Sequence, residues 1–389
     1  MAKELTLEKD TGTSLSMRLM QALRRSSGLR YGFQLAAALL LGLALGSVLI
    51  LWVGENPLEV YANLIEQAYF TPLGLMIAVQ RATPLILAAA AAGLAFQGGA
   101  INMGLDGQFA VGLSVAGLAG VLMPEWMPAL VRIPLIFLLC GLGGGAAALI
   151  PALFKRFSGV SEVITGMIAN LLIPPLLSSI IFAFPALRAA QGAASRGLPV
   201  ESTLAHFADL PLGGIGEGTK ANVGILAAVM VVLILGYWMR RSKTGYEIRM
   251  TRFSFSLSEF AGIRANRMFF LTMILSGAIA GMAGATEVLG TWHKLSMGTL
   301  SSVGNRGIVL ALVGGNSFFG GMLASLLYGG LEAGAMNAGW FTSVPRPLID
   351  ILVQMLFLFA AVPSMRRFFT GSGSGDAENL GGRFLTGRR

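Results

Sequence analysis

From Gly32 to Val53 the chain carries no charged side chain, and stretches of the same kind recur almost to its far end. A helix rises about 1.5 Å per residue, so roughly 20 apolar residues cross the hydrocarbon of a bilayer. Lipid offers no hydrogen bonds, so backbone at that depth must pair with itself, which favours helices. A soluble fold has too few charges here to cover so many runs. Only 12% of residues are charged and 54% are hydrophobic, against about 25% charged in soluble domains. The expected fold class is therefore an all-α membrane protein of about ten transmembrane helices. The candidate spans are Gly32–Val53, Leu73–Ala95, Phe109–Met123, Ala129–Phe154, Val163–Phe184, Ala221–Met239, Met268–Leu289, Gly307–Gly315, Phe318–Ala338 and Pro347–Val362. The third is short, the fifth is interrupted by Pro174-Pro175, and the eighth is too short to cross alone.

Charge sets the orientation. The net charge of +9 invites a nucleic-acid reading, but no aromatic-basic platform accompanies it. With a cytoplasmic N-terminus, 20 of the 28 Lys and Arg residues fall on one side, including seven between Arg240 and Arg267, and seven fall on the other. That bias is the positive-inside pattern of a plasma (inner) membrane protein, and it places both termini in the cytoplasm. The domain organisation expected is a cytoplasmic tail over 1–31, a transmembrane domain over 32–363 with a cytoplasmic loop at 240–267, and a disordered cytoplasmic tail over 364–389. The largest external loop runs from Pro185 to Lys220. No cleavage site precedes the first apolar run, so no signal peptide is expected.

Several chemistries are excluded. Cys140 is the single cysteine, and His206 and His293 are far apart in sequence with no ligand spacing, so no metal site and no cofactor are expected. No phosphate-binding loop, HExxH motif or triad signature occurs, so no catalytic residues are assigned. If transport is driven by ATP, another subunit hydrolyses it.

Two stretches are polar and glycine-rich where apolar residues are expected. One is Gln97 to Gln108. The other runs from Gly304-Asn305-Arg306-Gly307 through Gly314-Gly315-Asn316 to Gly320-Gly321. Interrupted segments in both halves of a transporter point to the solute pathway, although a tight turn with polar caps gives the same pattern. Asn102, Gln108, Asn170 and Asn305 are the candidate pathway residues. Arg81 is a candidate partner for Asp106, since a charge in a span must face protein or water. Gly141/Gly145, Gly277/Gly281 and Gly330/Gly334 have the spacing of helix-packing faces.

On the inner side, Phe253, Leu257 and Phe260 fall at i, i+4 and i+7, which predicts a short amphipathic helix from Phe253 to Gly262. Such a helix either lies on lipid or inserts into a partner's groove.

At this point the residues resemble a known family. Asn102-Met103-Gly104-Leu105-Asp106-Gly107-Gln108 is similar to the Asn-Ile-Gly-x-Glu-Gly-Gln signature of ABC importer permeases for simple sugars and nucleosides, within the larger family that serves ribose and branched-chain amino acids. Ser161-Glu162-Val163-Ile164 to Asn170, Thr244 to Arg249, Phe260 to Ile263, Gly307 to Gly314 and Val344-Pro345 to Gln354 resemble further motifs of that family, in order. The resemblance implies a type II importer fold with broken helices in each half and import of a nucleoside or simple sugar by alternating access. It also implies cytoplasmic ABC ATPase subunits, a second permease subunit (identical or paralogous) and an extracytoplasmic solute-binding protein. Phe253, Leu257, Glu259, Phe260 and Gly262 are then the candidate ATPase-coupling residues. A stand-alone secondary transporter or channel is the alternative, with Asp106, Glu287, Glu332 and Asp350 as its dispersed carboxylates.

Overall fold

The computed structural model describes residues 27–124, 126–183, 195–210, 216–295, 302–338, 342 and 344–371. The helices are α1 (Ser27–Val53), α2 (Pro57–Ile65), α3 (Pro72–Gln97), α4 (Leu105–Leu122), α5 (Ala129–Ser158), α6 (Glu162–Ala183), α7 (Gly224–Arg241), α8 (Lys243–Phe253), α9 (Phe255–Phe260), α10 (Ala265–Glu287), α11 (Val303–Val313), α12 (Phe318–Ala338) and α13 (Arg346–Gly371). π-helical turns follow α2 and α10, at Glu66–Phe70 and Val288–Trp292. Among the described residues no sheet forms; one isolated bridge joins His206 and Asn222.

Among the described residues eight helices are long and apolar enough to cross a membrane, or nine if the bent pair α11–α12 counts as one span. The protein is thus an all-α, multi-pass membrane protein. Its outer helices show lipid what a soluble protein would hide: Leu40, Trp52, Leu130, Leu171 and Leu226 are exposed. The expected eighth and ninth spans are instead two helices meeting at 119°, because Gly315 and Asn316 take left-handed conformations in the turn between them. The expected N-terminal tail lies largely outside the described residues, as does the end of the C-terminal one; α13 itself continues to Gly371, past the limit expected at 363.

Small residues set the packing. α3 is buried along Ala88 to Ala92, and α12 runs antiparallel to it. Gly321 meets Ala89, Gly329 meets Ala78 and Ala82, and Gly334 meets Leu64 on α2. α5 and α10 cross where a methyl on Gly281 would overlap the Cys140 carbonyl and one on Gly277 would overlap Gly144. The three spaced glycine pairs therefore do lie at helix contacts. Glycine in a helix costs roughly 1 kcal/mol against alanine; backbone approach this close admits nothing larger.

Two charges differ from their sequence placement. Arg132 is fully buried rather than in external water. Its Nη2 donates to the carbonyls of Gly120 and Met123 at 3.0 Å, and Nη1 to that of Pro124 at 3.3 Å, which caps the C-terminus of α4. Arg306, also assigned to the outer side, sits inside α11. The two histidines, separate in sequence, stack with ring centroids 5.0 Å apart, where the segment at 195–210 crosses the end of α10. Leu198 N–H donates to the His293 carbonyl and Leu204 N–H to that of Leu289, each at 2.8 Å. Burial and the neighbouring His206 and Lys220 push His293 below the usual imidazole range.

Candidate functional site

The first broken stretch starts where α3 ends at Gln97. Gly99 turns the chain with φ +74 against the backbone of Arg252, and α4 resumes only at Leu105. Between them Asn102 and Gln108 close on each other. Asn102 Nδ2 donates to Gln108 Oε1 at 2.8 Å and to Ser276 Oγ on α10 at 2.9 Å. Asn102 Oδ1 accepts from Gln108 Nε2 at 3.0 Å and from Gly104 N–H at 3.1 Å. Ser276 in turn donates to the Ala91 carbonyl of α3 at 2.8 Å. Asn102 is 3% exposed and Gln108 1%. Asn170 on α6 holds the same stretch from outside: its Oδ1 accepts from Gly107 N–H at 2.8 Å, and its Nδ2 donates to the Met103 carbonyl at 2.6 Å. The amides thus replace the helical hydrogen bonds that the break removes.

Asp106 joins the two broken stretches. Its Oδ1 accepts from the N–H groups of Gly304 at 2.6 Å and Asn305 at 3.2 Å, the free donors at the N-terminus of α11. A carboxylate at a helix N-terminus is favoured by the helix dipole. The Arg81–Asp106 pair does not form; Arg81 Nη2 reaches Met336 Sδ at 3.8 Å instead. At its other end α11 turns at Gly314–Ser317, where Gln97 Nε2 donates to the Asn316 carbonyl at 2.8 Å.

Asn305 differs from the other three candidate amides. It is exposed and opens on a cleft of about 480 Å³ between α11, α12 and α13. Beside it Arg306 Nη1 pairs with Glu332 Oε1 at 2.9 Å, and the Arg306 guanidinium lies 5.9 Å from the Tyr328 ring. Tyr328 and Phe357 meet edge to face at 4.9 Å. Sequence reasoning passed over Tyr328 and Gln354 as site residues, and named Arg306 only within the second broken stretch and Glu332 only as a dispersed carboxylate of the alternative. The i, i+4 spacing of Tyr328 and Glu332 within an otherwise apolar helix was the available signal.

A second surface lies at the ends of α7 and α10. The helix expected from Phe253 to Gly262 is two pieces, because Ser254 is extended and its hydroxyl accepts from Leu257 N–H at 3.3 Å, capping α9. Phe253 therefore ends α8, while Leu257, Glu259 and Phe260 lie on α9, and Gly262 turns the chain beyond it with φ +78. Phe260 is 91% exposed, Leu257 69% and Phe253 68%. Apolar side chains this exposed, outside the spans, suit either a lipid surface or a partner's groove. Tyr246, Met250 and Ile263 line the groove of about 430 Å³ beside them.

The family described as branched-chain amino acid transport system / permease component matches residues 74–361. A guanosine ABC transporter permease protein of Bacillus subtilis is 31% identical over 335 residues, covering 86% of this chain and 94% of that one. A nucleoside ABC transporter permease protein of Lactococcus lactis is 27% identical over 329 residues, covering 84% and 89%. A glucose ABC transporter permease protein of Haloferax volcanii is 27% identical over 330 residues, covering 82% and 84%.

Proposed function

The chain belongs to the family of branched-chain amino acid transport system permease components and is the non-catalytic membrane subunit of an ATP-driven importer for a small polar solute, and we propose that this solute is a nucleoside or simple sugar, moved by alternating access. The named cargo of the relatives (guanosine, nucleoside, glucose) supports that class. Family membership implies work with an ATPase and a solute-binding partner. The finer reading is a pair of such permeases, two ATPase subunits on the cytoplasmic face and a binding protein outside.

The single observation that most supports the coupling is the exposed apolar surface of α8 and α9. Phe253, Leu257 and Phe260 seat in a cleft of the ATPase, with Glu259 at the rim and Gly262 ending the element. The pathway runs beside the Asp106 junction. Asn102, Gln108 and Asn170 brace its wall and Asn305 faces it. In this reading ten segments cross the bilayer with both termini cytoplasmic. α11 has 11 residues and spans about 16 Å at about 1.5 Å per residue, half of the hydrocarbon. Its meeting with the start of α4 supports two half-helical crossings, each completed by irregular backbone buried in protein.

Reconstitution with ATPase and binding protein tests this reading. A solute-loaded binding protein is expected to stimulate ATP hydrolysis and uptake together. Phe260→Ala is expected to weaken ATPase association about 30-fold, corresponding to loss of roughly 2 kcal/mol at a buried aromatic anchor. Undiminished co-purification of the ATPase with the double variant Phe253→Ala, Phe260→Ala would remove the docking role. Cysteines at Ser256 and at exposed Val200 are expected to label from opposite sides of the membrane.

A further inference from the structure

The cleft between α11, α12 and α13 has polar side chains to spare. Ser302, Asn305 and Gln354 line it, and their side chains make no hydrogen bond among the described residues. Among the described residues the one charged group on its wall is Arg306, and Glu332 neutralises it at 2.9 Å. An ion pair and two unpaired amides at membrane depth are not stable against lipid, so this opening faces water, solute or protein.

Resting on the importer reading above, we propose that this cleft is the solute site and that it takes the base of an uncharged nucleoside rather than a sugar, a nucleotide or an amino acid. Three features select that chemistry. The first is charge. A phosphate or a carboxylate needs a free cation, and the guanidinium lining this cleft among the described residues is already neutralised by a carboxylate through Nη1. An ammonium finds no free carboxylate on the wall. The second is the placement of polarity. Asn305 and Gln354 each offer one amide donor face and one acceptor, which matches the mixed edge of a nucleobase. The remaining wall is largely aliphatic, including Leu310 and Ile351, over a floor formed by Tyr328 and Phe357. A flat base has apolar faces that lie on such walls. A hexose carries hydroxyls around its whole ring, and most would lose water without gaining a partner. The third is size. About 480 Å³ lies in the range of small-molecule pockets and admits a nucleoside with its ribose toward the open side.

Photolabelling of the full-length permease in lipid nanodiscs with 8-azidoadenosine tests the proposal. Label is expected on peptides covering 302–310 and 351–358. Excess adenosine or uridine is expected to suppress it, and glucose, leucine or AMP to leave it unchanged. Gln354→Leu and Asn305→Leu, at exposed positions that do not threaten folding, are expected to lower specific labelling at least ten-fold while ATPase co-purification stays normal. Label confined to other peptides, equal suppression by glucose or AMP, or full labelling of both variants would overturn the assignment. A complex that imports a sugar without cleft labelling also overturns it while leaving the importer reading intact. A permease that neither binds an ATPase nor imports any solute defeats the importer reading instead.

Discussion

The two broken stretches look alike in sequence and end differently in structure. Each places glycines, an asparagine and a charged residue between apolar runs. In the first, every polar atom of Asn102 and Gln108 that the break exposes is taken up by protein, and Asp106 is spent on the N-terminus of α11. In the second, the Asn305 backbone N–H is engaged by Asp106, and its side chain, with no hydrogen bond among the described residues, looks into a cleft. Polarity at membrane depth therefore has two uses here. One repairs the backbone where a helix stops, and the other, without a protein partner among the described residues, is open to the solute we propose. Which use a residue serves depends on its partners, not on its type.

The largest effect is expected in the first stretch. Gln108→Leu leaves the Asn102 amide without one donor and one acceptor in a site that excludes water, a loss of about 1–3 kcal/mol for each group left unpaired. A marked drop in the thermal midpoint of the detergent-purified protein is expected, with uptake falling in proportion to folded material. An unchanged midpoint would mean that these amides are free for solute, and the contrast between the two stretches would collapse.

Much of this architecture was legible in the sequence, for physical reasons that also mark where legibility ended. Apolar runs report burial in lipid directly, so α1, α5 and α10 were visible almost to their ends. Glycine spacing reported close helix contacts, since only glycine fits where Gly281 meets the Cys140 carbonyl. Partner choice was not readable. Nothing in the spacing said that Asp106 would cap α11 rather than pair with Arg81, because that contact depends on two segments almost 200 positions apart. The break at Ser254 was missed because the i, i+4, i+7 pattern of Phe253, Leu257 and Phe260 survives it; the three side chains remain exposed with the helix divided. Asn305 was readable as a pathway candidate, but the pairing of Arg306 with Glu332 beside it was not, because single charges in sequence do not announce their partners.

A smaller effect is expected at the junction between the stretches. Asp106→Ala removes the acceptor shared by Gly304 and Asn305 and is expected to cost about 1 kcal/mol, as for loss of an N-cap. Asp106→Asn keeps an acceptor oxygen and is expected to recover much of that loss, because position matters more than charge. Equal damage from both variants would instead assign the role to the charge. Thermal unfolding separates the two outcomes, and uptake by the assembled importer shows whether the junction also serves transport.

The smallest effect on stability is expected in the cleft, and its smallness is the point. Gln354 is exposed and its amide engages nothing among the described residues. Gln354→Leu keeps the approximate volume and leaves no buried group unpaired, so the stability change should stay within about 0.5 kcal/mol, the range of surface substitutions away from special features. The same variant is expected to impair uptake. Stability and transport then separate in opposite senses at the two sites: at Gln108 transport falls because the fold falls, and at Gln354 transport falls while the fold stands. Measuring both quantities on both variants decides the comparison. A Gln354→Leu protein as unstable as Gln108→Leu would show that this amide also braces the membrane body, and the distinction between repaired backbone and spare polarity would fail on that residue.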